Sequence, residues 1–270
     1  MISLILGVAA IGCADPDEGD LIEIDLTAEV VDWQVVDGET VEVWGYNGEY
    51  PGPMIEARVG DTLRVNLTNN LPEGTTIHWH GIEVPNEQDG VPGITQPIIE
   101  PGASWTYEFK LEKAGTAMYH THANTVQQLA RGLVGPLVVR ERGRAGDSYD
   151  REYTMVLHEI GGLFTINGHA FPATLADDDT FMKIAMGEKI RVRFINAGQQ
   201  HHPMHLHGPS SRWSRSTGTT SRTRTSRTRW TWLRARPSTW KWWVTTPVRG
   251  PSTATSSTTS PTEGHTPAAC

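Results

Sequence analysis

Apolar and polar residues alternate along TLRVNLTN (62–69) and again along KIRVRFIN (189–196), with β-branched side chains enriched, the mark of a half-buried strand. TVEVWGY, SWTYEFKL, LVGPLVVRE and EYTMVLHEI follow the same rule, and Gly, Pro and Asn separate them. No long amphipathic helix is predicted. The pattern therefore reads as all-β: two antiparallel β-sandwich domains, over 20–142 and from 148 onward, joined by the charged run RERGRAGDSYD.

The two halves repeat each other. YNGEYPGPMIEARVGDTLRVNLTNN…HWHG matches INGHAFPATLADDDTFMKIAMGEKIRVRFINAG…HLHG. Gly60, Asn69 and His78 recur as Gly187, Asn196 and His205 at a constant offset of 127 residues. That period suits a duplicated domain rather than a short solenoid repeat. After Gly208 the alternation stops, and 209–270 becomes a Ser/Thr/Arg background holding six of the ten tryptophans.

Charge divides at the same point. Residues 1–208 carry 13 Lys+Arg against 30 Asp+Glu, whereas 209–270 carry 10 against 1. The acidic body argues against nucleic acid as a partner. At the start, MISLILGVAAIGC is too short an apolar run to span a bilayer. It reads as the end of an export signal, and Ala10-Ile11-Gly12-Cys13 resembles a bacterial lipoprotein cleavage box. Residues 1–19 then comprise signal and acidic tether, with a lipid anchor at Cys13 and a periplasmic or membrane-anchored location. A plain signal peptide with an upstream start is the alternative. Cys13 and Cys270 are the only cysteines, and neither lies in a patterned strand.

Seven of the eleven histidines fall into three clusters: His78 and His80 about Trp79, His120 and His122 about Thr121, and His202, His205 and His207 in HPMHLH. On a strand, residues i and i+2 share a face, about 7 Å apart along the backbone. Each His-x-His is thus expected to present two imidazoles side by side to a metal. Imidazole suits copper, zinc, iron and nickel alike, and a polynuclear zinc site would more often include carboxylates or thiolates. His158 and His169 stand alone and read as core-edge or turn residues; His201 reads as a bystander and Met204 as packing.

HWHG, YHTH with GLVGPLVV downstream, and HPMHLHG resemble three of the four copper motifs of the multicopper oxidases, the laccase-like family of cupredoxin domains. NGEYPGPMIEARVGDTLRVNLTNNL and DGVPGITQ are similar to the family's first domain. The resemblance covers about 28–208 and implies two cupredoxin-like Greek-key β-sandwiches, the second incomplete after residue 208. It implies that His202 is a type 1 copper ligand and that His78 and His205 hold the type 2 copper. His80, His120, His122 and His207 would hold the binuclear type 3 pair. Asp89, in EQDGVPG, matches an acidic residue that the family keeps near the cluster for proton delivery, although an Asp before Gly equally suits a turn. HTH in place of HCH puts type 1 copper in the second domain alone and argues against the copper nitrite reductases. With two domains, the resemblance implies a homotrimer that oxidises a small reducing substrate or metal ion and reduces O2 to water.

The family's fourth motif, HCHIxxH, is missing from the chain as written. Shifting the reading frame by one base changes this. TTPVRGPSTATSSTT (245–259) then permits Asp-Asn-Pro-Gly-x-Trp-x-Phe-His-Cys-His-Ile-Leu-x-His, with the cysteine where Ala254 is written. Segments of SRWSRSTG and WTWLRAR become family-like in the same frame. Residues 209–270 are accordingly expected to be an out-of-frame tail, one base having been lost just after Gly208. Lacking the type 1 cysteine, the chain as written is expected to be inactive. A non-catalytic exported copper-binding protein is the alternative function.

Overall fold

The computed structural model describes residues 19–143, 149–185, 188 and 190–202 of the 270. The first copy of the repeat supplies eight strands: β1 (Leu21–Val36), β2 (Glu39–Tyr46), β3 (Ile55–Arg58), β4 (Thr62–Asn69), β5 (His78–His80), β6 (Ser104–Lys110), β7 (Gly115–His120) and β8 (Val134–Arg140). One short helix, α1 (Thr125–Ala130), lies between β7 and β8. The strands form two sheets, ordered β2-β1-β4-β6 and β3-β8-β7-β5. Alternation dictates what lies between them. Leu63, Val65 and Leu67 of β4 and Tyr107 and Phe109 of β6 bury one face of the first sheet, against Trp79, Tyr119, Leu137 and Val139 of the second. The result is a β-sandwich, as the pattern predicts, but not a purely antiparallel one: β1 runs parallel to β4 and β3 to β8; all six quoted strand segments are strands.

β1 was not anticipated. Its first half runs parallel to β4, from Leu21 opposite Thr62 to Ala28 opposite Asn69, and its second half runs antiparallel to β2. One 16-residue strand thus serves two neighbours in turn. Glu23, Asp25 and Asp32 take exposed positions, and the alternation changes phase between Ala28 and Val30, which hides the strand from a search for regular alternation.

The second copy contributes β9 (Arg151–Ile160), β10 (Leu163–Ile166), β11 (His169–Ala170) and β12 (Ile190–Asn196), ordered β11-β10-β9-β12. β9 runs parallel to β12 as β1 does to β4. A second detail is duplicated with it. Asn47 and Asn167 both adopt positive φ, 55° and 48°, a conformation that Asn tolerates better than most residues. The Asn47 side chain donates to Asp25 O (2.9 Å) and accepts from Thr27 N (2.7 Å). The Asn167 side chain donates to Thr154 O (3.0 Å) and accepts from Val156 N (2.7 Å). Each Asn therefore ties its turn to the strand that runs parallel with β4 or β12.

The copies share a core. Val35, Val43, Tyr50 and Val134 of the first bury against Val156, Ile160 and Ile195 of the second. Beside it Glu152 accepts from Arg140 (2.7 Å), with Arg191 at 3.2 Å and Arg193 at 3.4 Å, and Arg193 also donates to Thr116 Oγ1 (2.6 Å). Desolvation pulls the Arg193 guanidinium below its usual pKa range, and the nearby carboxylate opposes that shift.

A candidate metal centre built on paired strands

β5 and β7 pair antiparallel with His78 opposite His120, Trp79 opposite Tyr119 and His80 opposite Met118. Alternation turns Trp79 and Tyr119 fully into the core, so the histidines on either side must face away from it. Tyr119 is held closely. Its hydroxyl donates to Pro53 O (2.7 Å), and its ring crosses Gly135, where a Cβ would stand 2.1 Å from a ring carbon. The register that carries His120 to the site therefore depends on a glycine in the neighbouring strand.

Four rings gather at the end of these strands. Ring centroids lie 5.4 Å apart for His78 and His120, 5.5 Å for His80 and His120, 5.8 Å for His78 and His80, and 5.1 Å for His78 and His122. The ligand nitrogens of His78, His80 and His120 all lie within 4.8 Å of one another. One expectation requires correction. The first His-x-His lies on a strand, but β7 ends at His120, so His122 is not placed by strand alternation. The chain leaves the strand at Thr121, whose buried hydroxyl accepts from Ala123 N (3.1 Å) and donates to Gln128 Oε1 (2.6 Å), turning the backbone into α1. The His120 and His122 rings still stack, 6.3 Å apart.

The hydrogen bonds select the tautomers. His78 Nδ1 donates to Asp89 O (2.8 Å), and His120 Nδ1 donates to Thr121 O (2.7 Å). A carbonyl oxygen only accepts, so Nδ1 holds the proton in both rings and Nε2 keeps its lone pair. His80 Nδ1 lies 3.5 Å from His120 Nε2. Two nitrogens bonded at about 2 Å to one tetrahedral ion lie about 3.3 Å apart, so this pair suits a shared ion. Burial, aided by the neighbouring imidazoles and opposed by the bond to Thr121, pulls His120 down to about 4. Burial and the His78 and His122 rings lower His80 as well. Both are neutral near pH 7, the state in which imidazole binds a metal.

Asp89 sits where the 3-10 turn Asn86–Gln88 ends, so the turn reading of this residue holds. Gly90 follows with φ +78°, and a Cβ there would lie 1.7 Å from Ile77 O. That close approach brings Asp89 against His78, its carboxylate 3.3 Å from Nδ1.

In the second copy, His202 Nε2 donates to Glu159 Oε1 (2.7 Å), and its ring meets Phe164 edge-on at 5.4 Å. Glu159 also accepts from Gln199 N (2.8 Å) and Gln200 N (3.3 Å). Gly198 leaves room for this carboxylate, which a Cβ would meet at 2.3 Å. His205, His207, Met204, Cys13 and Cys270 lie outside the described residues. His158 is a core residue, as expected: it accepts from Tyr50 Oη (2.6 Å), and burial lowers its pKa to about 4. His169 packs on Trp33 with Asp177 at 3.5 Å, and His201 is exposed. Sequence reasoning missed Glu159, Gln128 and Thr121, because hydrogen bonds between distant segments leave no periodic signal.

Two stacked sheets carrying a cluster of imidazoles at one strand end define a cupredoxin-type metal protein. Two multicopper oxidase family models match the chain, over residues 27–144 and 153–261. A blue copper oxidase from Nitrosomonas europaea superimposes with TM-score 0.69 and 30% identity, covering 80% of this chain and 74% of that one. The multicopper oxidase of Pseudomonas thermotolerans gives TM-score 0.68 and 32% identity over 81% of this chain and 59% of its own. The dihydrogeodin oxidase of Aspergillus terreus is 47% identical over 167 residues, which is 58% of this chain but 26% of that protein's length. The chain belongs to the multicopper oxidase family, whose metal is copper. An all-imidazole donor set of borderline softness fits that metal.

Proposed function

We propose that the complete protein is a two-domain, laccase-like oxidase that removes single electrons from a small reducing substrate or metal ion and reduces O2 to water. The observation that carries this reading is the convergence of the His78, His80 and His120 nitrogens within 4.8 Å. His78, with His205, would hold type 2 copper; His80, His120, His122 and His207 would hold the type 3 pair; His202 would be a type 1 ligand. Bound copper would supply the one-electron steps and a place for O2 to be reduced. The chain's own residues orient and exclude. Asp89 O and Thr121 O fix two rings with Nε2 turned inward, and Glu159 fixes His202 with Nδ1 left free. The Asp89 carboxylate, beside His78 and half-exposed, is in a position to hand protons from solvent to the cluster.

The domain boundaries, homotrimeric assembly and export with a lipid anchor at Cys13 belong to the same proposal. So does a base lost after Gly208. What supports it is that the alternation stops after Gly208 and that 245–259 permits the fourth copper motif in the shifted frame. On this account the chain as written lacks the type 1 cysteine. A second reading, a non-catalytic copper-binding protein, is favoured by the fact that, among the described residues, three nitrogens from the first copy alone already converge.

The test is to resequence the gene across codons 200–270 from source DNA and to express both versions. A restored frame is expected to give an intense blue thiolate–copper band and O2 uptake with phenols. The chain as written is expected to bind copper with neither. If the source DNA confirms the written frame, the oxidase reading of this chain fails and the copper-binding reading takes its place.

A further inference from the structure

Beneath the histidine rings lies a buried polar network with no part in the reading above. Gln128, 1% exposed, is at its centre. Its Oε1 accepts from Thr121 Oγ1 (2.6 Å) and Thr75 Oγ1 (3.0 Å). Its Nε2 donates to Glu73 Oε1 (2.8 Å) and Gly74 O (2.9 Å). Both lone pairs and both N–H groups of the carboxamide are thus used, deep in the protein.

We propose that Gln128 is a positioning residue for the metal centre, setting His120 and His122 through the Thr121 peptide between them. The proposal rests on the reading of these histidines as ligands. His122 lies beyond the end of β7, so no sheet ladder places it. What places it is the 121–124 turn: Thr121 N donates to Leu133 O (3.2 Å), Ala123 N to Thr121 Oγ1 (3.1 Å) and Gln128 N to Asn124 O (3.1 Å). The same Thr121 peptide offers the carbonyl that orients His120. Fixing the Thr121 hydroxyl therefore fixes both rings.

Only a carboxamide satisfies all four partners. Leucine would fill the space but remove the acceptor that Thr75 and Thr121 share and the donor to Gly74 O; Thr121 Oγ1 would then be left to Ala123 O (3.1 Å) and Thr75 Oγ1 to Thr121 Oγ1 (3.2 Å), a rearrangement that shifts the turn. An ionised glutamate would keep the threonines but have no N–H for Gly74 O, and it would face the Glu73 carboxylate at hydrogen-bonding distance. On the same helix Val126 is exposed, whereas Gln128 and Leu129 are its buried residues.

The test is a Cu(II) titration of the full chain against a competing chelator, with EPR of the loaded protein and thermal unfolding of the metal-free form. Gln128→Leu is expected to lower copper affinity about 10- to 100-fold, the usual range for losing a partner of a ligand, and to change the EPR hyperfine pattern. Thr121→Val is expected to act like Gln128→Leu, whereas Thr121→Ser, which keeps the hydroxyl, restores both affinity and spectrum. The Thr121 pair also reads the network should Gln128→Leu not fold. Unchanged affinity and spectrum in Gln128→Leu, or equal losses in Thr121→Ser and Thr121→Val, would overturn the proposal. A parent chain that takes up no copper, or whose uptake survives His80→Ala with His120→Ala, would instead sink the metal reading, and this proposal with it.

Discussion

The histidines of the two copies are held from opposite ends of the ring. In the first copy His78 and His120 donate from Nδ1 to backbone carbonyls and offer Nε2. In the second, His202 donates from Nε2 to the Glu159 carboxylate and offers Nδ1. The strands beneath are laid out alike, β1 with β4 and β9 with β12, each with its asparagine tie. A duplicated scaffold thus carries two manners of holding a ligand. A carbonyl belongs to the fold and survives most substitutions; a carboxylate belongs to one side chain. The His78 bond should therefore survive truncation of the Asp89 side chain, and the His202 bond should not survive truncation of Glu159.

That contrast can be attacked in descending order of effect. Gly135→Ala strikes the first copy through its fold, driving a Cβ into the Tyr119 ring, and should cost about 3 kcal/mol by urea unfolding. A loss under about 1 kcal/mol would mean that the register of β7 does not depend on this contact. Glu159→Ala leaves His202, Gln199 N and Gln200 N without their acceptor and should cost about 2 kcal/mol, with chemical shifts of the 196–202 turn moving. Next is pH, through His158, an imidazole at the seam of the copies. Burial lowers its pKa to about 4 in the fold from the ordinary 6.5, so the unfolded chain binds its proton first as pH falls. Its contribution is fully present above pH 6.5 and is lost progressively down to about pH 4. In metal-free protein, His158→Gln should flatten the stability–pH slope in that window by up to about 1.4 kcal/mol per unit. An unchanged slope would place the acid sensitivity elsewhere. The smallest effect belongs to Asp89→Ala. His78 keeps its bond to the residue 89 carbonyl, so stability should shift by no more than about 0.5 kcal/mol. A loss matching that of Glu159→Ala would erase the contrast.

What the chain revealed before folding follows from periodicity. β4 and β12 are legible because alternation is a local property, and His78 with His80 because a strand fixes where i and i+2 point. β1 was hidden because its alternation changes phase between Ala28 and Val30 and its two halves serve different neighbours. His122 was correctly grouped for the wrong reason: a turn, not a strand, brings it to the site. Gln128 and Glu159 were illegible, since their partners lie up to 55 and 43 residues away and no spacing rule reaches that far. The roles of Asn47 and Asn167 were half visible. The repeat aligned their segments, but only the fold shows each bonding back to a strand before it.

The seam between the copies has an energetic consequence. Val35, Val43, Tyr50 and Val134 cannot be buried without Val156, Ile160 and Ile195, so neither copy closes its apolar surface alone. Melting should therefore be a single cooperative transition, with no plateau in which one copy survives the other. Mass action then couples the halves. An ion captured only by the folded state at β5 and β7 raises the free energy of opening the whole body, including strands that never touch it. Any metal that stabilises the first copy also keeps the 196–202 turn, and His202 with it, in place.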